Sequence, residues 1–153
     1  MHRVDYIYQE DSNVHVIGSN YDECFPLTLL AFVEYCYEVY GTSLENNKGN
    51  CKYILQETQN LPICFSIHQD LIFLPTKSLY NKECILVNSS SIQNILVLSN
   101  RTCRIYFNDG LSKDVNCSKT TILKQIARAH QIRSYYKRNI SPLDKLRELY
   151  SIE

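Results

Sequence analysis

Glycine and proline are scarce in this chain of 153 residues, with four of each, and tryptophan is absent. The phosphate-binding patterns G-x-x-x-x-G-K-[ST] and G-x-G-x-x-G do not occur, and neither do the catalytic patterns H-E-x-x-H and G-x-S-x-G. No apolar run approaches the length of a membrane span, and the N-terminus has no basic segment followed by a hydrophobic stretch. We therefore expect no enzyme, no signal peptide, no membrane partner and a cytoplasmic location.

The cysteines also exclude common site types. All seven stand apart, without a C-x-x-C pair. Zinc ribbons and thioredoxin-type redox sites need such close pairs, so we predict no metal site and no cofactor. Most of the thiols are expected to be small buried apolar groups. A Cys–His nucleophile stays open as an alternative, and it would require a cysteine of low pKa.

Size and composition are those of one ordinary folded unit. The chain is 44% hydrophobic and 21% charged, and its length is close to the commonest size of a globular domain. We therefore expect a single domain over residues 1–153.

The net charge of zero hides a strong asymmetry. Residues 1–76 have three basic and ten acidic side chains, whereas residues 77–153 have thirteen basic and six acidic ones. An electropositive half favours an anionic partner, and nucleic acid is the first candidate. The alternative is that the two halves neutralise each other within one fold.

Local patterns predict a mixture of strands and helices. Runs rich in β-branched and aromatic residues predict strands at 4–8, 14–17, 51–55, 63–65, 71–74, 84–87, 95–98 and 103–107. The polar segment 42–50 is expected to be a loop, and Asn108-Asp109-Gly110 a tight turn.

Three helices are predicted. The first covers 28–40 and ends at Gly41, because Leu29, Val33 and Cys36 recur at helical spacing. The second begins after Ser118 as its N-cap and ends before Ser141-Pro142, and the third covers 143–150. The predicted fold class is α+β: an antiparallel β-sheet with a helix in the N-terminal half and a pair of basic helices at the C-terminus.

The second helix is the main candidate for binding. The segment 117–140 has no acidic residue, and Lys124, Arg128, Gln131 and Tyr135 are predicted to share one exposed face. Its basic residues are Lys119, Lys124, Arg128, Arg133, Lys137 and Arg138. Such cations would neutralise DNA phosphates and release counterions. The alternative is a solvated amphipathic helix.

A second candidate is the turn after the strand at 71–74. Thr76 and Ser78 place two hydroxyls around Lys77, a combination that can hold a phosphate. Both hydroxyls can equally satisfy nearby backbone groups, as they do in most turns. Lys48, in the preceding polar segment, is a further candidate phosphate contact.

Several motifs, in this order and spacing, resemble the ComK family of competence transcription factors. They are Tyr40-Gly41-Thr42-Ser43, Lys48, Leu61-Pro62-Ile63, Phe73-Leu74-Pro75-Thr76-Lys77-Ser78, Cys84, Phe107-Asn108-Asp109-Gly110, Gln125 and Arg128. The chain departs from the family pattern at Leu86, where the family usually has tryptophan, and at Leu44 and Asn47, where an aromatic residue and an arginine are usual.

This resemblance implies a DNA-binding transcription activator that recognises A/T-rich boxes, largely through the minor groove. The implied partners are double-stranded DNA, a second copy in a homodimer or a dimer of dimers, RNA polymerase and a proteolytic adaptor. The alternative function is a divergent interaction protein that has lost DNA binding and pairs with a family member.

Overall fold

The computed structural model describes residues 1, 3–138 and 141–150, without the side chains of residues 145 and 148. In these residues nine strands form two antiparallel sheets, together with four α-helices. The strands are β1 (Val4–Glu10), β2 (Asn13–Gly18), β3 (Tyr21–Phe25), β4 (Ile63–Ser66), β5 (Leu71–Pro75), β6 (Ile85–Asn88), β7 (Ile92–Val97), β8 (Cys103–Phe107) and β9 (Ser112–Val115). The helices are α1 (Leu29–Val39), α2 (Leu44–Leu55), α3 (Lys119–Arg138) and α4 (Pro142–Tyr150). The predicted α+β class is confirmed.

The larger sheet has the strand order β3-β2-β1-β6-β5-β4. The predicted N-terminal hairpin is present, with Glu10 opposite Asn13, and β3 extends it by a strand that the pattern did not predict. Val14 and Val16 are buried in one cluster with Leu29 and Val33 of α1. This face of the sheet therefore packs on α1.

The smaller sheet has the order β7-β8-β9 and packs against the larger one, since Val87 of β6 is buried in one cluster with β8. Ile122, near the start of α3, is buried with Ile105 and Phe107 of β8. About two to three turns later, Ala129 and Ile132 are buried in a different cluster with α2 and β5. α3 therefore fixes α2 relative to both sheets.

The helix ends follow their local chemistry. Thr28 Oγ1 accepts a hydrogen bond from Ala31 N at the start of α1, and Gly41 follows its end with φ +76°. Ser118 Oγ accepts from Thr121 N at 3.2 Å, as expected of the predicted N-cap of α3. The end of α3 at Arg138 and the start of α4 at Pro142 agree with the predicted break.

The prediction of a loop at 42–50 and a strand at 51–55 is wrong, because this segment forms α2. Ser43 caps the helix, and its buried positions have the spacing of one helical face: Leu44, Asn47, Cys51 and Leu55. Asn47 is 6% exposed; its Nδ2 donates to Pro62 O at 3.0 Å and its Oδ1 accepts from Cys64 N at 3.0 Å. A polar residue in a buried position concealed the helical period from a hydrophobicity pattern.

Candidate nucleic-acid interface

A groove of about 970 Å³ runs between α2, the segment after β5, the β7–β8 turn and the start of α3. Four basic side chains line it, and none of its lining residues is acidic: Lys48, Lys52, Lys77 and Arg101. Amide and hydroxyl side chains supply much of the remaining lining. The groove therefore has the positive charge and hydrogen-bond donors that a polyanion requires.

None of the four cations is in an ion pair with a carboxylate of the described residues. Lys48 Nζ donates to the hydroxyl of Tyr80 at 2.8 Å, and Tyr80 is 66% exposed at the groove. Lys52 lies one turn after Lys48 on α2, and Arg101 projects from the turn between β7 and β8. Their positive charge is therefore available to a ligand.

The two hydroxyls beside Lys77 are in different environments. Thr76 is 6% exposed, and its Oγ1 accepts a hydrogen bond from Ile85 N at 2.9 Å. Ser78 is exposed, and its Oγ accepts from Tyr80 N at 3.3 Å while its own hydrogen is free to donate. Thr76 thus serves the backbone of the turn, and Ser78 is the hydroxyl that faces solvent.

The start of α3 contributes to the floor of the groove. Ser118 and Thr121 both line it, so the positive end of the helix dipole lies at the groove. Cys117 lies beside them, and burial raises the pKa of its thiol to about 12. The thiol therefore adds no negative charge to the floor.

The prediction that Arg128 lies on an exposed face is wrong. Arg128 is 9% exposed, and its Nη1 donates to the carbonyls of Gln59 and Asn60, each at 3.1 Å. Its Nη2 lies 3.6 Å from a carboxylate oxygen of Glu57. A guanidinium that is neutralised and bonded in this way cannot reach a phosphate without losing those partners.

Arg133 is also held by the protein itself. Its Nε donates to Asp70 at 2.6 Å, and its Nη2 donates to the hydroxyl of Ser89 at 2.5 Å. The other predicted cations of α3 have no carboxylate partner among the described residues: Lys119, Lys124, Lys137 and Arg138. At about 100° per residue these four lie within about 140° of the helix circumference, on the side away from buried Ile122 and Ala129. α3 therefore keeps cations on its exposed side, but the predicted row that includes Arg128 is not exposed as a whole.

Polar side chains of α3 instead hold one wall of the groove in place through hydrogen bonds. Gln125 Nε2 donates to Asn60 O at 2.8 Å and to Pro75 O at 3.1 Å. Arg128 holds Gln59 and Asn60, two residues that line the groove. Asn60 has a positive φ of 50°, so this segment has an unusual backbone that the α3 side chains fix in place. Arg128 therefore positions the interface without facing it.

Two groove cations, Lys52 and Arg101, were absent from the sequence-based candidates. The residue pattern predicts a strand at Lys52, and only recognition of α2 as a helix places this lysine one turn from Lys48. Arg101 lies in a turn far along the chain from α2. No local pattern indicates that the two meet, because the groove joins segments from four parts of the sequence.

The buried thiols agree with the expected apolar role. Five of the seven cysteines are buried, Cys64 is half-buried and Cys24 is exposed. Burial raises the pKa of Cys36, Cys51 and Cys84 to about 11 in each case. These shifts are opposite to what a thiolate nucleophile needs.

A small α+β fold with a cationic, acid-free groove is typical of a nucleic-acid-binding domain. The family described as ComK protein matches residues 4–141, which is nearly the whole chain. The chain therefore belongs to the ComK family of competence transcription regulators, as its motifs indicated, and the family is one of regulators rather than of enzymes.

Two further comparisons add little. A search among curated proteins gave no significant match. Among solved structures, the chain is similar to a LytTr DNA-binding domain from Bacillus cereus, with 13% identity, 82% of each chain covered and a TM-score of 0.41. Within the described residues, no helix has the length and apolar character needed to cross a membrane.

Proposed function

We propose that this protein is a transcription activator that binds A/T-rich double-stranded DNA through the groove between α2 and the start of α3. The observation that carries the proposal is the groove lining, in which four cations without carboxylate partners meet and no acidic side chain intervenes. Each Lys or Arg that neutralises a phosphate releases condensed counterions, which is the main source of sequence-independent affinity for DNA.

Within this proposal the cations have different roles. Lys48, Lys52 and Lys77 contact phosphates, and the exposed hydroxyl of Ser78 donates to a phosphate oxygen. Lys119 and Lys124 are further contacts, because they lie in the first turns of α3 where Ser118 and Thr121 line the groove. Lys137 and Arg138 lie about 24 Å further along the helix, at a rise of 1.5 Å per residue, and are outside the groove.

Arg101 is the proposed reader of the minor groove. It projects from a short turn between β7 and β8, and it has no carboxylate partner among the described residues. An arginine on a narrow protrusion can enter the narrow minor groove of A/T-rich DNA, where the negative potential is enhanced. The A/T preference then comes from groove width rather than from a base-edge code.

The proposed partners are A/T-rich DNA and a second copy of the chain, as a homodimer or a dimer of dimers. An activator must also contact RNA polymerase, and a proteolytic adaptor would control its abundance. The proposed location is the cytoplasm, as for the proposed DNA target.

The test is a titration of A/T-rich and G/C-rich duplexes with the full chain at several salt concentrations, followed by fluorescence anisotropy. The double variant Lys52→Ala/Arg101→Ala should weaken binding to the A/T-rich duplex and flatten the plot of log K against log salt by about two units, at ~0.9 per lost phosphate contact. Arg101→Ala alone should also reduce the preference for A/T-rich over G/C-rich DNA.

The matched control is Lys137→Ala/Arg138→Ala, which removes the same charge from the far end of α3. It should flatten the salt slope by less than half of the change expected for Lys52→Ala/Arg101→Ala. If the control lowers the slope and the groove variant does not, the contacts lie along α3 and the groove assignment is wrong. If the wild-type chain binds neither duplex, the alternative of an interaction protein without DNA binding is correct.

A further inference from the structure

Strand β7 is an unpaired edge whose C-terminal half lacks the usual protection against association. The two sheets of the described chain have four edge strands, namely β3, β4, β7 and β9. β3 has Asp22 and Glu23 near its centre, and β9 has Lys113 and Asp114. β4 has only four residues and an irregular register against β5. Charges, short length and irregularities are the devices by which natural edges avoid pairing with other chains.

By contrast, β7 has six residues and neither a charge nor a proline, and its register shift against β8 lies between Ile92 and Asn94, before the regular segment 95–97. Its end is also apolar and open to solvent: Leu96 is 46%, Val97 56% and Leu98 42% exposed. Three consecutive exposed apolar residues on a free edge favour strand pairing with another chain.

The backbone shows which groups of β7 are free. Leu98 N donates to Thr102 O at 3.2 Å, so Leu98 is bonded towards β8. In an antiparallel ladder, bonded and non-bonded pairs alternate. Leu96, opposite Arg104, is therefore also bonded towards β8, while the N–H and C=O of Ile95 and Val97 point to the free edge.

We propose that two copies of this chain associate through β7, antiparallel and centred on Leu96, to form one continuous six-stranded sheet. In this register Leu96 lies opposite Leu96 of the partner subunit. Ile95 lies opposite Val97 of the partner subunit, and the reverse pair follows from the two-fold symmetry. All the free backbone groups of Ile95 and Val97 are then paired, and apolar residues meet apolar residues.

Charges next to the seam are compatible with a second copy. The cross-strand neighbour of Leu96 is Arg104, which would approach its symmetry mate. Arg104 is already bonded to Asp114 through both its Nε and Nη2, at 2.6 and 3.2 Å, on the side away from the seam. The outer face of the joined sheet therefore has neutral pairs flanking an apolar centre, and like charges do not oppose pairing.

The inference does not depend on DNA binding, because it is tested on the protein alone. Sedimentation of the full chain between about 1 and 100 µM should give a concentration-dependent dimer. Leu96→Lys and Leu96→Glu each place like charges opposite one another across the two-fold axis, so each variant should dimerise at least about ten-fold more weakly. An equimolar mixture of these two variants should regain the dimer, because opposite charges then face each other.

The matched control is Leu146→Lys on α4, since Leu146 is 48% exposed, as much as Leu96. It should leave the dimer unchanged. Circular dichroism and a thermal melt check that every variant is folded, and the regained dimer in the mixture excludes misfolding as the cause. A monomeric wild type, a dimer that survives Leu96→Lys, or a mixture that stays monomeric would each overturn the proposal.

Discussion

Asp5 and Asp109 form a carboxyl pair between the two sheets. Asp5 lies on β1 and is 3% exposed, and Asp109 lies in the turn between β8 and β9. The pKa of Asp5 is raised to about 7, mainly by burial and then by the hydrogen bond to Asp109 and the charge of that carboxylate. A hydrogen bond with Ser91 acts in the opposite direction and lowers the pKa of Asp5. The hydrogen bond with Asp5 lowers the pKa of Asp109. Below about pH 7 the pair thus holds one proton, mainly on Asp5, that an ordinary pair of aspartates would have lost.

This proton makes folding stability depend on pH. Between the ordinary pKa of an aspartate and pH 7, the native pair binds more protons than the unfolded chain, so stability falls as pH rises. A shift of Asp5 from 3.8 to about 7 corresponds to at most ~4 kcal/mol. About 2–3 kcal/mol of this should be lost between about pH 5 and pH 7.5. Below the ordinary pKa of an aspartate, the unfolded chain binds more protons than native Asp109, whose pKa is lowered. The stability therefore falls as pH falls in this range.

Asp5→Asn should remove the dependence, because the amide stays neutral and can still donate to Asp109. Urea unfolding of both proteins at pH 5, 6 and about 7.5 gives the free energy of unfolding at each pH. The variant should gain about 2–3 kcal/mol relative to wild type over this range, while all other carboxylates cancel in the difference. Parallel profiles for the two proteins would refute this proton on Asp5.

Two further predictions concern the support of the groove. Arg128→Ala should lower the free energy of unfolding by about 2–4 kcal/mol, because it leaves two carbonyls and Glu57 without their partner. The control Arg138→Ala removes an exposed arginine and should change the free energy of unfolding by less than about 0.5 kcal/mol. Equal losses in the two variants would contradict the structural role of Arg128. Asn47→Ala should lower the free energy of unfolding by about 1–3 kcal/mol and weaken DNA binding, because the Asn47 amide holds the backbone of β4 against α2 beside Lys48. The control is Asn50→Ala, on the exposed side of α2. Urea unfolding measures the stability of both variants, and anisotropy of a labelled duplex measures their DNA binding.

Much of the fold follows from local patterns. The helical spacing at 29–36, the N-cap Ser118 and the break at Ser141-Pro142 predicted α1, α3 and α4 within a residue or two at most described ends. The patterns also identified the other strands, but they missed β3 and β9 and wrongly predicted a strand at 51–55. The failure at α2 has one cause: Asn47 is buried by bonds to Pro62 and Cys64, and a pattern of polar residues cannot reveal partners that far along the chain.

The candidate site was predicted less well than the fold. Lys48, Lys77 and Ser78 do line the groove, whereas Arg128 and Arg133 are held by Glu57 and Asp70. The sequence contains both members of each ion pair, but their separation along the chain hides the pairing. Lys52 and Arg101 illustrate the reverse case, in which two unremarkable cations meet at one groove.

The sequence by itself determined the total charge, its division between the two halves, the family motifs and the elements set by nearest neighbours, because helix caps, turns and periodicity act over a few residues. Only the tertiary structure decided which positive charges are neutralised and which are free. A salt bridge depends on the distance between two side chains in space. The same lysine or arginine therefore has a structural role where the fold places a carboxylate beside it, and it can bind a ligand where the fold does not.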